Sequence, residues 1–530
     1  MTSEKLYLRH NVVVEPLVDN WYAWAHLIPP VTAAMNIVGR HLKIMESYVK
    51  TPQVHAAAVK NPAMLGGPFI DYKEPRVPQI RDLIERTKQE RGHLLELAAA
   101  IQQLDDLLRQ EAKGYSLEPL YSRVPEPLRG YVELVYDLNN QPSFRLIESL
   151  LYRSVYYEES AQSLILSLID QDDRAFVLST PRLVENGDVH LRRPFRHSGL
   201  DELFKMKRVP QTFAYIKEAL ELEDELDEGF AKLLTPELPP PYEPYQGQGV
   251  RWRYFGHACI LVETADVSIL LDPVLSYTYE SDISRYTYHD LPERIDFALI
   301  THNHQDHILF ETILQLRHRI GTIVVPRNGS AGLPDPSLKL LLRQIGFQNV
   351  YELDELETLE RAGVEITGLP FLGEHGDLDI RTKLAYHCRL GPHTLLFAAD
   401  SCNIDPRLYE RLHELLGDID VAFIGMECDG APLSWIYGPL LTRPLDRKMD
   451  QSRRLAGSNY ERAVDIVNRF GCRAVYVYAM GQEPWLNYIM SVKYTEQSNP
   501  IIASNKLIAD CRDRGLEAER LFGEKEILLN

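Results

Sequence analysis

The spacing of apolar residues changes along this chain of 530 residues. Between residues 77 and 113, apolar side chains recur at intervals of three and four, which predicts long amphipathic helix. The aromatic stretches 21–24 and 152–157 contain no clustered metal ligands, and we interpret them as core or subunit interface. The first part of the chain is therefore predicted to be largely helical and noncatalytic.

Short apolar runs, most of them bounded by Gly, Asp or Pro, predict strands after residue 250. The predicted strands are residues 258–262, 268–271, 297–300, 322–325, 394–398, 421–424 and 474–478. Helical patterns lie between them at 406–416 and 458–470. This alternation favours a two-sheet core flanked by helices, which is an α+β arrangement.

A change of composition near residue 240 predicts a domain boundary. Seven acidic residues between Glu218 and Glu228 precede a stretch rich in Pro and Gly, which is too stiff and too polar for a packed core. We expect a helix-rich dimerisation or partner domain in residues 1–235, a linker in 236–249 and a second domain in 250–530.

Composition narrows the possible partners and location. The formal charge is 57 − 76 = −19, which argues against nucleic acid, because phosphate binding needs a positive surface. Six widely spaced cysteines without a C-x-x-C pair indicate reduced thiols. No signal peptide or membrane-spanning apolar run is visible. We therefore expect a cytoplasmic protein without nucleic-acid or membrane partners.

Four candidate metal ligands follow the apolar run 297–300 within six positions. They are His302, His304, Asp306 and His307. Imidazole and carboxylate groups projecting from the end of a strand into a loop are able to hold two adjacent metal ions. The pattern predicts a two-metal site.

Further motifs resemble those of the metallo-β-lactamase fold, in the same order along the chain. They are Tyr254-Phe255-Gly256-His257-Ala258, Leu271-Asp272-Pro273, the cluster ending at His307, and Ala399-Asp400-Ser401. The resemblance covers about residues 248–500 and implies a C-terminal αββα sandwich. Because the fold is shared by hydrolases, nucleases and oxygen-handling diiron proteins, the reaction must be inferred from the remaining ligands.

Those remaining ligands leave two alternatives. Hydrolases of the resembled fold use a late histidine, whereas this chain has none after His413. In Gly373-Glu374-His375-Gly376, either Glu374 or His375 is the ligand, because neighbours in a tight loop cannot easily both face one metal. Glu374 would give a carboxylate-rich set that suits iron, and His375 would favour a dizinc hydrolase of esters, lactones or phosphodiesters. A nonenzymatic interaction protein fits the complete ligand set least well.

The chain resembles the diiron β-hydroxylases of nonribosomal peptide synthesis over essentially its whole length. The resemblance is carried by the ligand set that includes Glu374, the N-terminal stretch Asn20-Trp21-Tyr22-Ala23-Trp24 and the total length. The resemblance implies an oxo- or hydroxo-bridged cluster of two iron ions, O₂ as co-substrate and an external electron donor. It also implies β-hydroxylation of an aminoacyl thioester on a carrier domain. An electron-transfer partner and a homodimer follow from the same resemblance.

The resemblance also assigns individual positions. One iron is given to His302, His304 and Glu374, and the other to Asp306 and His307, with Asp400 as the bridge. Glu374 is further expected to change its binding mode during catalysis. Glu427, at the end of another strand, is expected to adjust hydrogen bonds of the cluster or to supply protons; the alternative is a turn carboxylate.

Several further residues are open to either a functional or a purely structural interpretation. Five basic residues form either a docking site for the carrier and its phosphate or a solvated surface; they are Arg443, Arg447, Lys448, Arg453 and Arg454. His257 and His375 are interpreted as outer hydrogen-bond donors or structural histidines. Trp435 and Trp485 are expected in core or rim packing.

Overall fold

The computed structural model of the protein describes residues 4–329 and 331–530. Its C-terminal part contains two facing seven-stranded sheets. In spatial order, the first sheet consists of Val350–Leu353, Ile320–Pro326, Ile295–Leu299, Ser268–Leu271, Cys259–Glu263, Val250–Gly256 and Lys525–Leu529. The second consists of Thr358–Arg361, Val364–Leu369, Ala385–Leu390, His393–Phe397, Val421–Gly425, Ala474–Tyr478 and Glu517–Arg520.

Helices cover the outer face of each sheet. Phe310–Leu316 and Leu338–Gln344 pack on the first, and Pro406–Leu416, Tyr460–Arg469 and Asn499–Asp513 pack on the second. Aromatic side chains fill the space between the sheets, including Trp252, Phe423 and Tyr476. Three short helices lie in the connections between strands of the second sheet: Ser434–Tyr437, Arg447–Ser452 and Asn487–Met490. The predicted αββα sandwich is confirmed.

The N-terminal region, residues 4–235, is dominated by helices but also contains three small sheets. Its helices are Pro30–Asn36, Ile37–His41 (a π-helix), Leu42–Lys50, Pro52–Ala58, Val77–Glu90, Gly92–Glu111, Glu148–Leu151, Ser198–Lys205, Phe213–Leu220 and Asp227–Lys232. Its strands are Lys5–Leu8, Val12–Val18, Trp21–Tyr22, Val132–Tyr136, Pro142–Leu146, Gln162–Leu168, Val189–Leu191, Gln211–Thr212 and Leu234–Thr235.

The long helix predicted over residues 77–113 is two helices, Val77–Glu90 and Gly92–Glu111. They are separated at Arg91, which leaves the helical conformation with φ −112° and binds Asp19 at 2.8 and 2.7 Å. Its guanidinium also contacts Glu158 at 2.6 Å. Local periodicity does not reveal this break, because these partners lie far away in the sequence.

Buried contacts join the N-terminal region to the sandwich. Tyr22 donates to the Glu311 carboxylate over 2.6 Å, and Arg174 contacts both Glu311 and Glu15 at 2.8 Å. The acidic stretch before the predicted linker lies in short helices whose apolar residues, such as Phe230, are buried. Residues 236–249 contain no helix or strand, and a domain boundary there stays a prediction. Within the described residues, no helix is long and apolar enough to cross a bilayer.

Candidate metal centre

The predicted metal ligands lie at one edge of the two sheets. Strand Ile295–Leu299 runs parallel to Ser268–Leu271, so residues 301–307 and Asp272 emerge side by side. In the second sheet, His393–Phe397 leads to Asp400 in the same way. Polar residues that follow neighbouring parallel strands meet at the same edge, which explains how distant sequence positions converge.

Three overlapping groups of ligand atoms form this centre, and within each group the atoms lie within 4.8 Å of one another. The groups are His302, His304, Glu374 and His375; His257, Asp306 and His307; and His302, His307 and Asp400. All eight side chains are buried. Every residue predicted as a metal ligand is therefore found in the cluster, together with His257 and His375.

The first group surrounds unpartnered polar atoms. His304 Nδ1 lies 2.9 Å from Glu374 Oε1. His302 Nε2 lies 3.9 Å from Glu374 Oε2 and 3.8 Å from Asp400 Oδ2, and it has no hydrogen-bond partner among the described residues. Two ligands that are each about 2 Å from one ion lie roughly 3 to 4 Å apart, so the two longer separations fit a shared metal ion better than a hydrogen bond.

The second group is arranged around His307. The Nε2 atom of His307 lies 3.0 Å from Asp400 Oδ2 and 3.7 Å from Asp306 Oδ2. His257 Nε2 approaches the same Asp306 oxygen at 3.1 Å. Asp400 therefore faces both His302 and His307, which is the position a bridging carboxylate requires.

The outer nitrogen of each predicted histidine ligand has its own neighbour. His302 Nδ1 lies 3.0 Å from Thr301 Oγ1, His304 Nε2 lies 2.9 Å from Tyr437 Oη, and His307 Nδ1 lies 2.8 Å from Asp272 Oδ2. Contacts of this kind fix ring orientation and aim the other nitrogen at a metal.

The electrostatics of the cluster also fit a cation. Burial raises the pKa of the Glu374 carboxyl to about 7, although His304 opposes this shift. Burial lowers the pKa of His307, but the carboxylates of Asp400 and Asp272 outweigh it and raise the pKa well above its ordinary value. Several carboxylates buried together are costly unless positive charge compensates them, and metal ions supply such charge.

Glu374 and His375 both face the cluster, contrary to the expectation that only one would. Glu374 has φ 63°, between Gly373 at φ 80° and Gly376 at φ 59°. These left-handed residues turn the chain sharply, so that His375 Nδ1 lies 3.1 Å from Glu374 Oε2. A side chain at Gly373 would also collide with Cys402, its added Cβ lying 2.6 Å from that side chain. Glu374 is thus a proposed ligand that itself has a left-handed backbone conformation.

Glu427 lies near the cluster but outside the three groups of ligand atoms. Its side chain is partly buried, and loss of solvation together with the Asp400 and Asp306 carboxylates raises its pKa well above the usual range. Its main-chain carbonyl accepts a hydrogen bond from the Gly457 amide over 3.0 Å. The electrostatics of Glu427 are therefore coupled to the carboxylates of the candidate ligands.

Two of the residues that support the site had no role predicted from the sequence. Asp272 was visible only as part of Leu271-Asp272-Pro273, and its contact with His307 spans 35 positions. Tyr437 contacts His304 across 133 positions and lies in no recognisable motif. An aspartate directly after a predicted strand is a recognisable sequence signal for a site residue, whereas nothing in the sequence marks the tyrosine.

The basic residues between positions 443 and 454 have different roles in the structure. Arg453 donates to the Gly376 carbonyl over 2.7 Å, and Arg454 donates to backbone carbonyls of residues 429 and 430, so both hold loops. Arg447 and Lys448 are exposed and form no ion pair in the described chain. Trp485 is buried, as expected for core packing.

Comparisons with known proteins agree with this geometry. Residues 7–238 match the family described as diiron non-heme beta-hydroxylase N-terminal domain, and residues 268–439 match a beta-lactamase superfamily domain. A 4-amino-L-phenylalanyl-(CmlP-peptidyl-carrier-protein) 3-hydroxylase from Streptomyces venezuelae is 43% identical over 536 residues, covering 98% of this chain and 99% of the relative.

Solved structures give the same result. The crystal structure of CmlA, a diiron beta-hydroxylase from Streptomyces venezuelae, has a TM-score of 0.93 and 41% identity, covering 100% of both chains. A glutamate-to-aspartate mutant of CmlA has a TM-score of 0.91 and 41% identity, covering 99% of this chain and 100% of that one. The family resemblance inferred from the motifs is confirmed: the chain belongs to the diiron non-heme β-hydroxylases and is an enzyme of the diiron monooxygenase type.

Proposed function

We propose that the enzyme hydroxylates the β-carbon of an aminoacyl group tethered as a thioester to a nonribosomal peptide synthetase carrier domain. The relative that shares 43% identity end to end is named as a 3-hydroxylase of an aminoacyl carrier protein. The observation that carries the proposal is the buried convergence of three imidazoles and three carboxylates, in which Asp400 faces both His302 and His307.

Each residue of that set has a proposed position. His302, His304 and Glu374 would hold one iron, Asp306 and His307 the other, and Asp400 would bridge them. His375 and His257, whose ring nitrogens lie 3.1 Å from carboxylate oxygens of Glu374 and Asp306, would stand beside these ligands without holding an iron themselves. The Nε2 of His302 and Oε2 of Glu374, which lack hydrogen-bond partners among the described residues, support this assignment.

The bound iron ions would supply oxygen chemistry, with electrons from an external donor protein. The chain's own residues would hold the ions, exclude water and position the substrate's β-carbon. Glu427 would adjust hydrogen bonds of the cluster or supply a proton there, since burial and the Asp400 and Asp306 carboxylates raise its pKa. Glu374 would change its contact with the metal, since one of its oxygens lies beside His304 and the other has no hydrogen-bond partner in the described chain.

The alternative, a dizinc hydrolase, is not favoured. It required His375 to replace Glu374 as the ligand, whereas Glu374 lies 2.9 Å from His304 and directs its other oxygen toward His302. Carboxylate-rich shells suit iron, whereas imidazole-dominated shells suit zinc.

A single-turnover experiment tests the function. The reduced holoenzyme is mixed with an aminoacyl carrier domain under ¹⁸O₂, first with a 4-aminophenylalanyl group, and the carrier is analysed by mass spectrometry. We expect an aminoacyl thioester heavier by one oxygen atom that originates from O₂, and little reaction of the free amino acid. Release of the carrier by thioester hydrolysis without oxygen incorporation would overturn the assignment.

We also propose a homodimer assembled through the N-terminal region and a cytoplasmic location. All six cysteines carry free thiols, which supports a reducing compartment. Sedimentation equilibrium of the purified protein tests the dimer, and a monomer at micromolar concentration would contradict it.

A further inference from the structure

A cavity of about 500 Å³ lies between the N-terminal region and the segment 431–440, and its lining includes none of the candidate metal ligands. One wall is the helical face that carries Arg40, Lys43 and Ser47. The opposite wall includes Trp435, which stacks on Phe176 with ring centroids 5.9 Å apart. This volume lies within the range of small-molecule sites.

Charge distinguishes this cavity from the other large ones. Its only charged lining residues within the described chain are Arg40 and Lys43, in a protein of net charge −19. A second cavity, of about 550 Å³, has seven carboxylates in its lining, and a third, of about 600 Å³, has three. Carboxylates repel anions, so of these three cavities the first offers the best electrostatic match to a negatively charged ligand.

The two cations differ in how they meet the cavity. Arg40 donates through Nη2 to the carbonyls of Trp435 and Ile436, while its buried Nη1 has no hydrogen-bond partner in the part of the chain that the structure describes. Lys43 lies three positions further along the helix, is exposed at the cavity, and forms no ion pair among the described residues. Residues three apart on a helix share a face, so both charges are presented to the same space.

The cavity is also adjacent to the metal centre. The short helix Ser434–Tyr437 carries Trp435, which lines the cavity, and Tyr437, whose hydroxyl lies 2.9 Å from His304 Nε2. A ligand in the cavity would therefore be separated from the candidate metal ligands by a single turn of helix. The stacked aromatic wall suits an extended chain of amides and methylenes.

We propose that this cavity binds the phosphopantetheine arm of the loaded carrier, with Lys43 contacting its phosphate, Arg40 adding positive charge to the cavity wall and Trp435 packing against its amide chain. The proposal rests on the proposed function, which supplies a carrier-tethered substrate. It places recognition of the arm at the interface between the N-terminal region and the sandwich, rather than on the exposed residues Arg447 and Lys448.

Binding of two probes to the resting holoenzyme tests the proposal by calorimetry. The probes are an amide-linked aminoacyl-phosphopantetheine and the same compound without its phosphate. Wild type should bind the phosphorylated probe about tenfold more tightly. Lys43→Ala should remove most of that difference and Lys43→Arg should keep it. The matched control is Lys50→Ala, on the same helix but outside the cavity lining, and it should behave as wild type.

Three results would overturn the proposal: no binding of either probe, equal binding of both probes by wild type, or equal losses for both probes in Lys43→Ala. A merely structural role of Lys43 would give the last result, because it would not depend on the phosphate. The single-turnover experiment separates the two hypotheses. If wild type hydroxylates the carrier-bound group but does not discriminate between the probes, only the cavity assignment fails; if no oxygen is incorporated, the proposed function fails.

Discussion

The Tyr437 hydroxyl lies 2.9 Å from His304 Nε2, and both side chains are buried. The other ring nitrogen of this histidine lies 2.9 Å from Glu374 Oε1. Tyr437, from the short helix Ser434–Tyr437, thus orients a proposed metal ligand through the ring nitrogen that does not face Glu374.

Tyr437→Phe should weaken metal retention or activity by about tenfold to a hundredfold, because the outer nitrogen of His304 loses its partner in a dry site. Metal analysis after dialysis and single-turnover yield measure the effect. Tyr72→Phe is the matched control, since its hydroxyl donates to a backbone carbonyl, that of Pro181, over 2.6 Å. Equal losses in both variants would contradict the positioning role.

The purified holoenzyme should contain about two irons per chain and absorb in the near ultraviolet as an oxo-bridged diferric centre that bleaches on reduction. The reason is the carboxylate-rich ligand set, which suits iron. Elemental analysis and an optical titration with reductant check this. A colourless, active protein with two zincs would contradict it.

Glu374→Ala should lose iron far more severely than His375→Ala. The first variant removes a proposed ligand, whereas the second removes a neighbouring imidazole that lies 3.1 Å from Glu374 Oε2. Iron content and the optical spectrum distinguish the two. The assignment is wrong if the histidine variant is the one that empties the site.

Charge reversal at Arg447 and Lys448 should slow turnover of carrier-bound substrate while cluster spectra stay unchanged. These two side chains are exposed, whereas Arg453 and Arg454 hold backbone carbonyls and would confound the test. Long-range attraction mainly alters association rates, so the loss should diminish at high salt. Lys50→Glu with Lys60→Glu is a control of equal charge; identical slowing there would exclude a local docking site.

Arg174→Met should destabilise the protein by about 3–5 kcal/mol, because buried Glu311 loses its cation and partly buried Glu15 keeps only Arg182. Arg411→Met, which removes an exposed ion pair, should leave the unfolding free energy nearly unchanged. Denaturant unfolding measures both.

The same ion pairs predict a pH dependence. Although burial opposes it, contacts with Arg182 and Arg174 lower the pKa of Glu15. Its contribution to stability is therefore fully present above the carboxyl pKa of the unfolded chain and lost as pH falls through the lowered value. Wild type should lose more stability on acidification than Arg174→Met, and parallel curves would contradict this.

The amino-acid sequence by itself determined the parts of this protein that depend on local pattern. Strands Ser268–Leu271 and Ala474–Tyr478 and helix Pro406–Leu416 have the predicted bounds, because apolar periodicity and flanking Gly, Asp or Pro act within a few residues. The spacing from His302 to His307 at a strand end likewise predicts a metal site from local pattern alone.

Only the tertiary structure decided the features that depend on contacts across long separations. The break at Arg91, the pairing of Tyr437 with His304 and the approach of Glu374 and His375 to His302 are not visible in the local pattern. Each arises when packing brings distant polar groups into a buried space, where an unpaired group is costly and geometry selects the partner. Local pattern decides which residues are able to bind a metal, and the meeting of the two sheets decides which of them face it.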